Sequence, residues 1–207
     1  MRIAVYGGTG QAGTEIVAEA ARRGHEVTAL SRREPTAELP AGVTWRHGEL
    51  TDTADVAAVA GGADVVVTAF GPSREPGGNP GAFASQLVPF LHALNGTPVL
   101  VVGGAGSLVD ADGVRLVDGP EFPDAYKAEA LAAADALAAV RDLGDEVAWT
   151  FLSPAPVIQP GERTGSYRSG ADSPVGTSIS FADFAIAVVD EVERPTHRRQ
   201  RWTVATD

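Results

Sequence analysis

Short runs of β-branched and other apolar residues alternate with stretches of helical spacing along the whole chain, and no other feature restricts the fold as much. Strands are expected at Arg2 to Tyr6, Glu26 to Leu30, Thr44 to His47, Asp64 to Thr68, Pro98 to Val102 and Glu146 to Leu152. Between them, Gln11 to Arg23, Thr53 to Ala60, Gly81 to Leu94 and Asp124 to Leu143 carry Ala, Leu, Val and charged residues at helical spacing. A further helix is expected over Phe181 to Val192 and a last strand over Arg201 to Ala205, with Gly24 and Gly144 where helices would be capped. Near-continuous apolar strands separated by helices must be covered on both faces, which predicts an α/β fold built on a doubly wound, mostly parallel sheet. At 207 residues the chain is expected to form one domain, residues 1–207, burying roughly 70% of the surface its unfolded form exposes.

The clearest motif is GGTGQAG, Gly7 to Gly13, lying between the first strand and the first helix. Gly7, Gly10 and Gly13 form G-x-x-G-x-x-G: one glycine for the tight turn, one for close approach to a pyrophosphate, one for helix-to-strand packing. The helix N-terminus behind them offers unpaired N–H groups and a partial positive charge to an anion. This context predicts a single NAD(P)-binding Rossmann domain, with Thr9, Gln11 and Ala12 completing the loop. The acidic residue that binds the ribose of NAD about 20 residues further on is replaced by Leu30-Ser31-Arg32-Arg33. An arginine fork with a neighbouring hydroxyl suits a 2′-phosphate, which favours NADP(H) over NAD(H). The alternative is that Arg32 and Arg33 are solvated and Glu34 takes the ribose.

Composition excludes several function classes. With 27 acidic against 16 basic side chains the net charge is −11, which argues against nucleic acid as a partner. There are no cysteines, so no disulfide, thiolate metal site or cysteine nucleophile is available. His25, His47, His92 and His197 lack metal-ligand spacing, and no metal is expected. No apolar run approaches the ~20 residues that span a bilayer, and the chain is strand-like from Arg2 onward. A cytoplasmic monomer or homodimer acting on a small molecule is therefore expected. The His197 to Arg201 run, HRRQR, is expected to be a solvated edge, and Asp183, Asp190 and Glu191 the polar face of their helix.

Three Gly-, Pro- and Ser-rich stretches, Gly71 to Gly81, Ser107 to Pro123 and Gln159 to Pro174, follow expected strands on the carboxyl side, where open α/β sheets bind ligands. They are candidate substrate loops. The second ends at PDAYKAEA, which contains Tyr126 and the only lysine, Lys127. A cooperating Tyr and Lys must share a helix face, four residues apart, but the position four beyond Tyr126 is Ala130. Neighbours stand about 100° apart around a helix, so Tyr126 and Lys127 cannot form that pair. Tyr126 either lines the reactive end of the pocket or packs at the helix start, and Lys127 is expected to be solvated.

The glycine loop, the SRR after the second strand, HGELTD at His47 to Asp52, VVGGAGSL at Val101 to Leu108 and WTFLSPA at Trp149 to Ala155 resemble the atypical short-chain dehydrogenase/reductases. PGERTGSYR, SISFADFAIAVVDEVE and the terminal HRRQRWTV are similar to bacterial NADH-flavin reductase-like proteins, relatives of biliverdin reductase B and of the NmrA-like proteins. The resemblance implies that Glu49 and Leu50 lie by the adenine and that Ala69, Phe70 and Gly71 pass the adenosine ribose. It further implies that Gly103 and Gly104 approach the nicotinamide ribose, that Ser153, Pro154 and Ala155 border the nicotinamide, and that Ser107 holds the superfamily's active-site Ser or Thr position unless it caps a turn. Without a Tyr-x-x-x-Lys acid, the expected activity is NADPH-dependent hydride transfer to a flavin or quinone-like acceptor, with solvent supplying the proton. A cofactor-sensing regulator of the NmrA-like kind, or an epimerase or isomerase, are the alternatives.

Overall fold

The computed structural model describes residues 1–73 and 77–207. The chain runs β1 (Arg2–Tyr6), α1 (Gln11–Arg22), β2 (Glu26–Ser31), β3 (Val43–His47), α2 (Thr53–Gly62), β4 (Val65–Thr68), α3 (Phe83–Ala93), β5 (Val99–Val102), α4 (Asp124–Arg141) and β6 (Trp149–Ser153). It continues through β7 (Val157–Gln159), β8 (Arg168–Gly170), β9 (Ser178–Ser180), α5 (Phe181–Glu193) and β10 (Arg201–Ala205). The sheet order is β3-β2-β1-β4-β5-β6-β10-β8, with only the edge strand β8 antiparallel to its neighbour. This is the expected doubly wound Rossmann-like sheet, and every strand and helix expected over residues 2–102 is present.

Strand alternation explains the two layers. Ile3, Val5, Val27, Ala29, Val67, Leu100 and Leu152 face one side and pack with Ile16 and Val17 of α1 and Phe184 and Val188 of α5. Their immediate neighbours Ala4, Tyr6, Leu30, Val66, Val101 and Phe151 face the other, against Val56 of α2, Leu87 and Phe90 of α3, and Leu137 and Val140 of α4. Adjacent residues on a strand point to opposite faces, so a strand apolar throughout builds both cores at once.

Several expectations are corrected beyond β6. Gln159 to Pro174 is not an irregular loop throughout: it begins at the end of β7, which pairs with β9, and contains β8, which closes the main sheet. Ser107 to Pro123 is also ordered. Leu116 N–H donates to the Leu108 carbonyl and Asp110 N–H to that of Val114, forming a hairpin over 108–116. The Asp110 side chain shapes its tip by accepting from the N–H groups of Asp112 and Val114. Gly24 takes the left-handed conformation expected just past a helix, at φ 82°, whereas α4 is capped by Asp142 and Gly144 lies beyond it.

Two of the acidic residues of α5, Asp183 and Glu191, are not on a solvated face, whereas Asp190 is half-exposed. Asp183 is buried and accepts from the Thr164 hydroxyl and the Gly165 N–H, while Glu191, also buried, accepts from the Thr196 and His197 N–H groups. Asp190 accepts from the Tyr167 hydroxyl and from Arg23. These bonds fasten the 160–167 segment and the 196–197 turn to the helix, because a buried carboxylate must find donors. Glu19 of α1 is buried too, with Arg163, Arg22 and Arg23 around it.

Burial pulls the Glu19 carboxyl up, but hydrogen bonds from Arg163, Arg22 and Arg23 outweigh it and hold it at about 2 against an ordinary 4.5. A depressed carboxylate contributes stability that is fully present above pH 4.5 and is lost as pH falls through about 2. Glu19→Gln is expected to cost on the order of 2–3 kcal/mol at pH 7 and to flatten the loss of stability across that acid window. Urea unfolding at a series of pH values measures both effects, and parallel curves for the two proteins would contradict the assignment.

Candidate cofactor-binding site

Because β1 to β6 run parallel, the loops that follow them meet along one edge of the sheet. The strand order reverses direction between β1 and β4, which opens a crevice at their carboxyl ends. The Gly7 and Gly8 N–H groups both donate to the Leu30 carbonyl, at 2.8 and 3.1 Å, so the turn after β1 is held against the end of β2. Gly7 adopts φ 79°, and a Cβ on it would lie 2.7 Å from the Ala69 carbonyl. A Cβ on Gly13 would lie 2.0 Å from the Gly7 carbonyl oxygen, so only glycine permits α1 to sit this close to β1.

Gly10 precedes α1 and provides no side-chain cap, and the first turn carries no acidic residue. The leading N–H groups and the positive end of the helix dipole are thus available to an anion in the crevice. Thr9 and Ala12 are half-buried and Gln11 is exposed beside this turn. A backbone cradle of this shape, closed by glycines that cannot be enlarged, fits the pyrophosphate of a dinucleotide.

On the β2 side Arg32 and Arg33 are exposed, at the carboxyl end of the strand. Ser31 plays a different part from the one expected: its hydroxyl donates to the Arg33 carbonyl at 2.6 Å and accepts from Trp45 Nε1 at 2.9 Å. It shapes the arginine turn, and its own hydrogen is already committed. After β3, Glu49 is exposed and Leu50 half-buried, while Asp52 caps α2 by accepting from the Asp55 N–H.

After β4, the Ala69 N–H donates to the Tyr6 carbonyl at 2.7 Å, and the Phe70 ring stands edge-on to Phe83 and Phe90. Gly71 is exposed; the loop it opens includes Arg74, Glu75 and Pro76, which lie outside the described residues.

The β5 and β6 ends form the other half. A Cβ on Gly103 would lie 1.9 Å from the Phe151 ring, so this glycine serves packing under the turn, and Gly104 meets Ala133. Ser153, Pro154 and Ala155 are buried, with Ser153 fully enclosed, so they contribute as packed floor.

The two catalytic candidates are placed unlike one another. Tyr126 sits in the first turn of α4 and is 59% exposed. Ser107 is 8% exposed, and its Oγ is buried with no hydrogen-bond partner among the described residues, so it caps no turn there. Lys127 is half-buried, and its charge helps hold the Asp118 carboxyl low, after the larger effect of Arg115. Ala130 packs against the turn of residues 105–107: a Cβ on Gly106 would lie 2.9 Å from that of Ala130. The position four residues beyond Tyr126, where a partner lysine would stand, is thus an alanine in contact with this turn.

Sequence reasoning missed Trp45, which orients Ser31, and wrongly put Arg201 on a solvated edge with the rest of HRRQR: it is buried, and its guanidinium reaches the Ser107 carbonyl. Only the second left a signal, a charge heading an otherwise apolar strand. Two cavities of about 360 and 410 Å³ lie elsewhere, one around Arg141, Asp172 and Arg201 and one around Tyr167, Asp190 and His197. Neither includes the glycine cradle, so the backbone geometry identifies the cofactor groove better than cavity size does.

Residues 7–195 match the model of a family described as NAD(P)H-binding. The chain is 39% identical over 216 aligned positions to the Bacillus subtilis protein named "Uncharacterized protein YwnB", covering 100% of this chain and 99% of that one. Among solved structures, a Burkholderia pseudomallei protein named "Putative exported protein" is 45% identical with a TM-score of 0.85, covering 99% of both chains. A Streptococcus pneumoniae TIGR4 protein named "a putative NADH-flavin reductase" is 36% identical with a TM-score of 0.88, covering 100% of both. The glycine cradle, the sheet order and a match running over nearly the whole chain agree: this protein belongs to the NAD(P)H-binding family, among the atypical short-chain dehydrogenase/reductases its motifs resemble.

Proposed function

We propose that the protein is an NADPH-dependent reductase that reduces a flavin or another conjugated, quinone-like acceptor without a tyrosine-lysine acid. The observation that carries this is Ala130, in contact with Gly106, at the position where that lysine would stand. Reduction of an aliphatic ketone concentrates charge on one oxygen and benefits from a positioned acid, whereas a conjugated ring spreads that charge and takes its proton from water. The name of the similar S. pneumoniae protein supports the same reaction class.

The residues divide the work by position. Gly7 to Gly13 and the start of α1 bind the pyrophosphate, and Arg32 with Arg33 holds the 2′-phosphate. Glu49, Leu50, Ala69, Phe70 and Gly71 border the adenosine, while the Gly103-Gly104 turn, seated on Phe151 through Gly103, approaches the second ribose. Ser153, Pro154 and Ala155 give the nicotinamide a rigid floor. When bound, the reduced nicotinamide supplies the hydride. Tyr126 offers an exposed ring face on which a flat acceptor can stack, and such stacking supplies orientation, a large part of the barrier reduction for this chemistry.

Mixing the protein with NADPH and FMN or a quinone and following absorbance at the nicotinamide band is expected to show turnover. Binding of cofactor with no turnover across a broad acceptor panel would replace the reductase with a cofactor-sensing protein. Arg32→Ala should weaken NADPH binding by roughly 1.5–3 kcal/mol and leave NADH binding nearly unchanged, since only the phosphate contact is lost; equal losses would reassign the fork. Tyr126→Phe keeps the ring and removes the hydroxyl, so kcat is expected to change less than tenfold in steady-state assays, and a loss of three decades would make Tyr126 the acid.

A further inference from the structure

Arg201 opens β10, a strand buried along its length, and its own side chain is only 2% exposed. A guanidinium so enclosed must be paired, and its partners lie on two separate segments. Nη2 donates to the Ser107 carbonyl at 3.2 Å and pairs with the Asp172 carboxylate at 2.7 Å, while Nη1 donates to the Asp172 carbonyl at 3.0 Å. That same Asp172 carbonyl accepts from the Val109 N–H at 2.9 Å, and the Asp172 carboxylate also takes Arg141 of α4 at 2.9 Å. Ser107 and Val109 flank the first residue of the 108–116 hairpin, and Asp172 follows the edge strand β8. One buried charge therefore ties the base of the hairpin to the edge of the sheet. The planar fork of arginine reaches two carbonyls and a carboxylate from two separate nitrogens, whereas an ammonium directs its three donors from a single atom.

The hairpin belongs to the connection between β5 and α4, the helix whose first turn carries Tyr126. The 3-10 turns on either side of it, residues 105–107 and 116–118, both pack on α4. We propose that Arg201, through Asp172, is a positioning residue that fixes the 108–116 hairpin at the acceptor end of the groove and so sets acceptor affinity without touching the cofactor. It rests on the reductase reading for what the hairpin does, but not for how the hairpin is held. Arg201 lies four strands from β1 in the order β1-β4-β5-β6-β10, and its partners Ser107 and Asp172 are not among the residues assigned to the cofactor, so NADPH binding should be insensitive to it.

The test uses the full chain with NADPH and menadione as the probe acceptor, and compares Arg201→Met, Arg201→Lys and Asp172→Asn. Asp172 has a half-exposed side chain, so Asp172→Asn keeps the question open should Arg201→Met fail to fold. The expected result is a rise of at least fivefold in the menadione KM for Arg201→Met, partial rescue in Arg201→Lys, and an NADPH Kd within twofold of the unmodified protein. Hydrogen exchange of the peptide spanning 107–116 should quicken at least tenfold, with β1 and α1 unchanged. Unchanged exchange in the variants would overturn the clamp. Faster exchange with unchanged KM would overturn its role in acceptor binding. If the unmodified protein turns over no acceptor, the reductase reading fails, and exchange alone still decides whether Arg201 holds the hairpin.

Discussion

The structure depends on a single crowded point, the contact between Gly13 and the Gly7 carbonyl. With 2.0 Å between that oxygen and the place a Cβ would occupy, no side chain at position 13 is compatible with the observed approach of α1 to β1. The same turn is fixed by two N–H bonds to Leu30 and presses its α-carbon against Ala69, so β2 and β4 are set by it as well. Glycine sacrifices more chain entropy on folding than any other residue, and here four of them within seven positions are the condition for bringing a helix dipole to the crevice. Stability and ligand chemistry are thus determined by the same few backbone atoms.

The parts of the fold that were legible in the sequence are those in which local pattern and global role coincide. β1, β2, β4 and β5 are apolar on both faces because both faces are covered, and a run such as VVVT can be recognised without knowing its partners. β7, β8 and β9 were not legible. Each has three residues, and each exists because a partner strand presents an edge, a long-range fact that a segment such as RSG does not encode. Asp183 and Glu191 misled for the opposite reason: charge on a helix normally means solvent, but their partners come from segments 164–165 and 196–197 that had no pattern of their own.

The candidate site divides along similar lines. Backbone positions were legible, because glycine spacing after a strand reports geometry directly. Side-chain roles were less so. Ser31 was expected to face a phosphate, yet Trp45, fourteen residues later, turns its hydroxyl into a brace for the arginine turn. Ser107 was expected either to hold an active-site position or to cap a turn, yet its Oγ is enclosed and its carbonyl is the atom with a partner, on Arg201. A hydroxyl has several uses, and which one it serves is decided by neighbours distant in sequence.

The pairing of Ala130 with Gly106 shows how packing can determine chemistry. Both residues are the smallest available, and their contact lets the 105–107 turn lie directly on α4. Ala130 supports the turn whose Ser107 carbonyl Arg201 holds, so the helix face, the turn and the buried clamp are linked in series. Close packing thus joins the 105–107 turn, α4 and the buried Arg201 into one unit, with Tyr126 exposed at its margin.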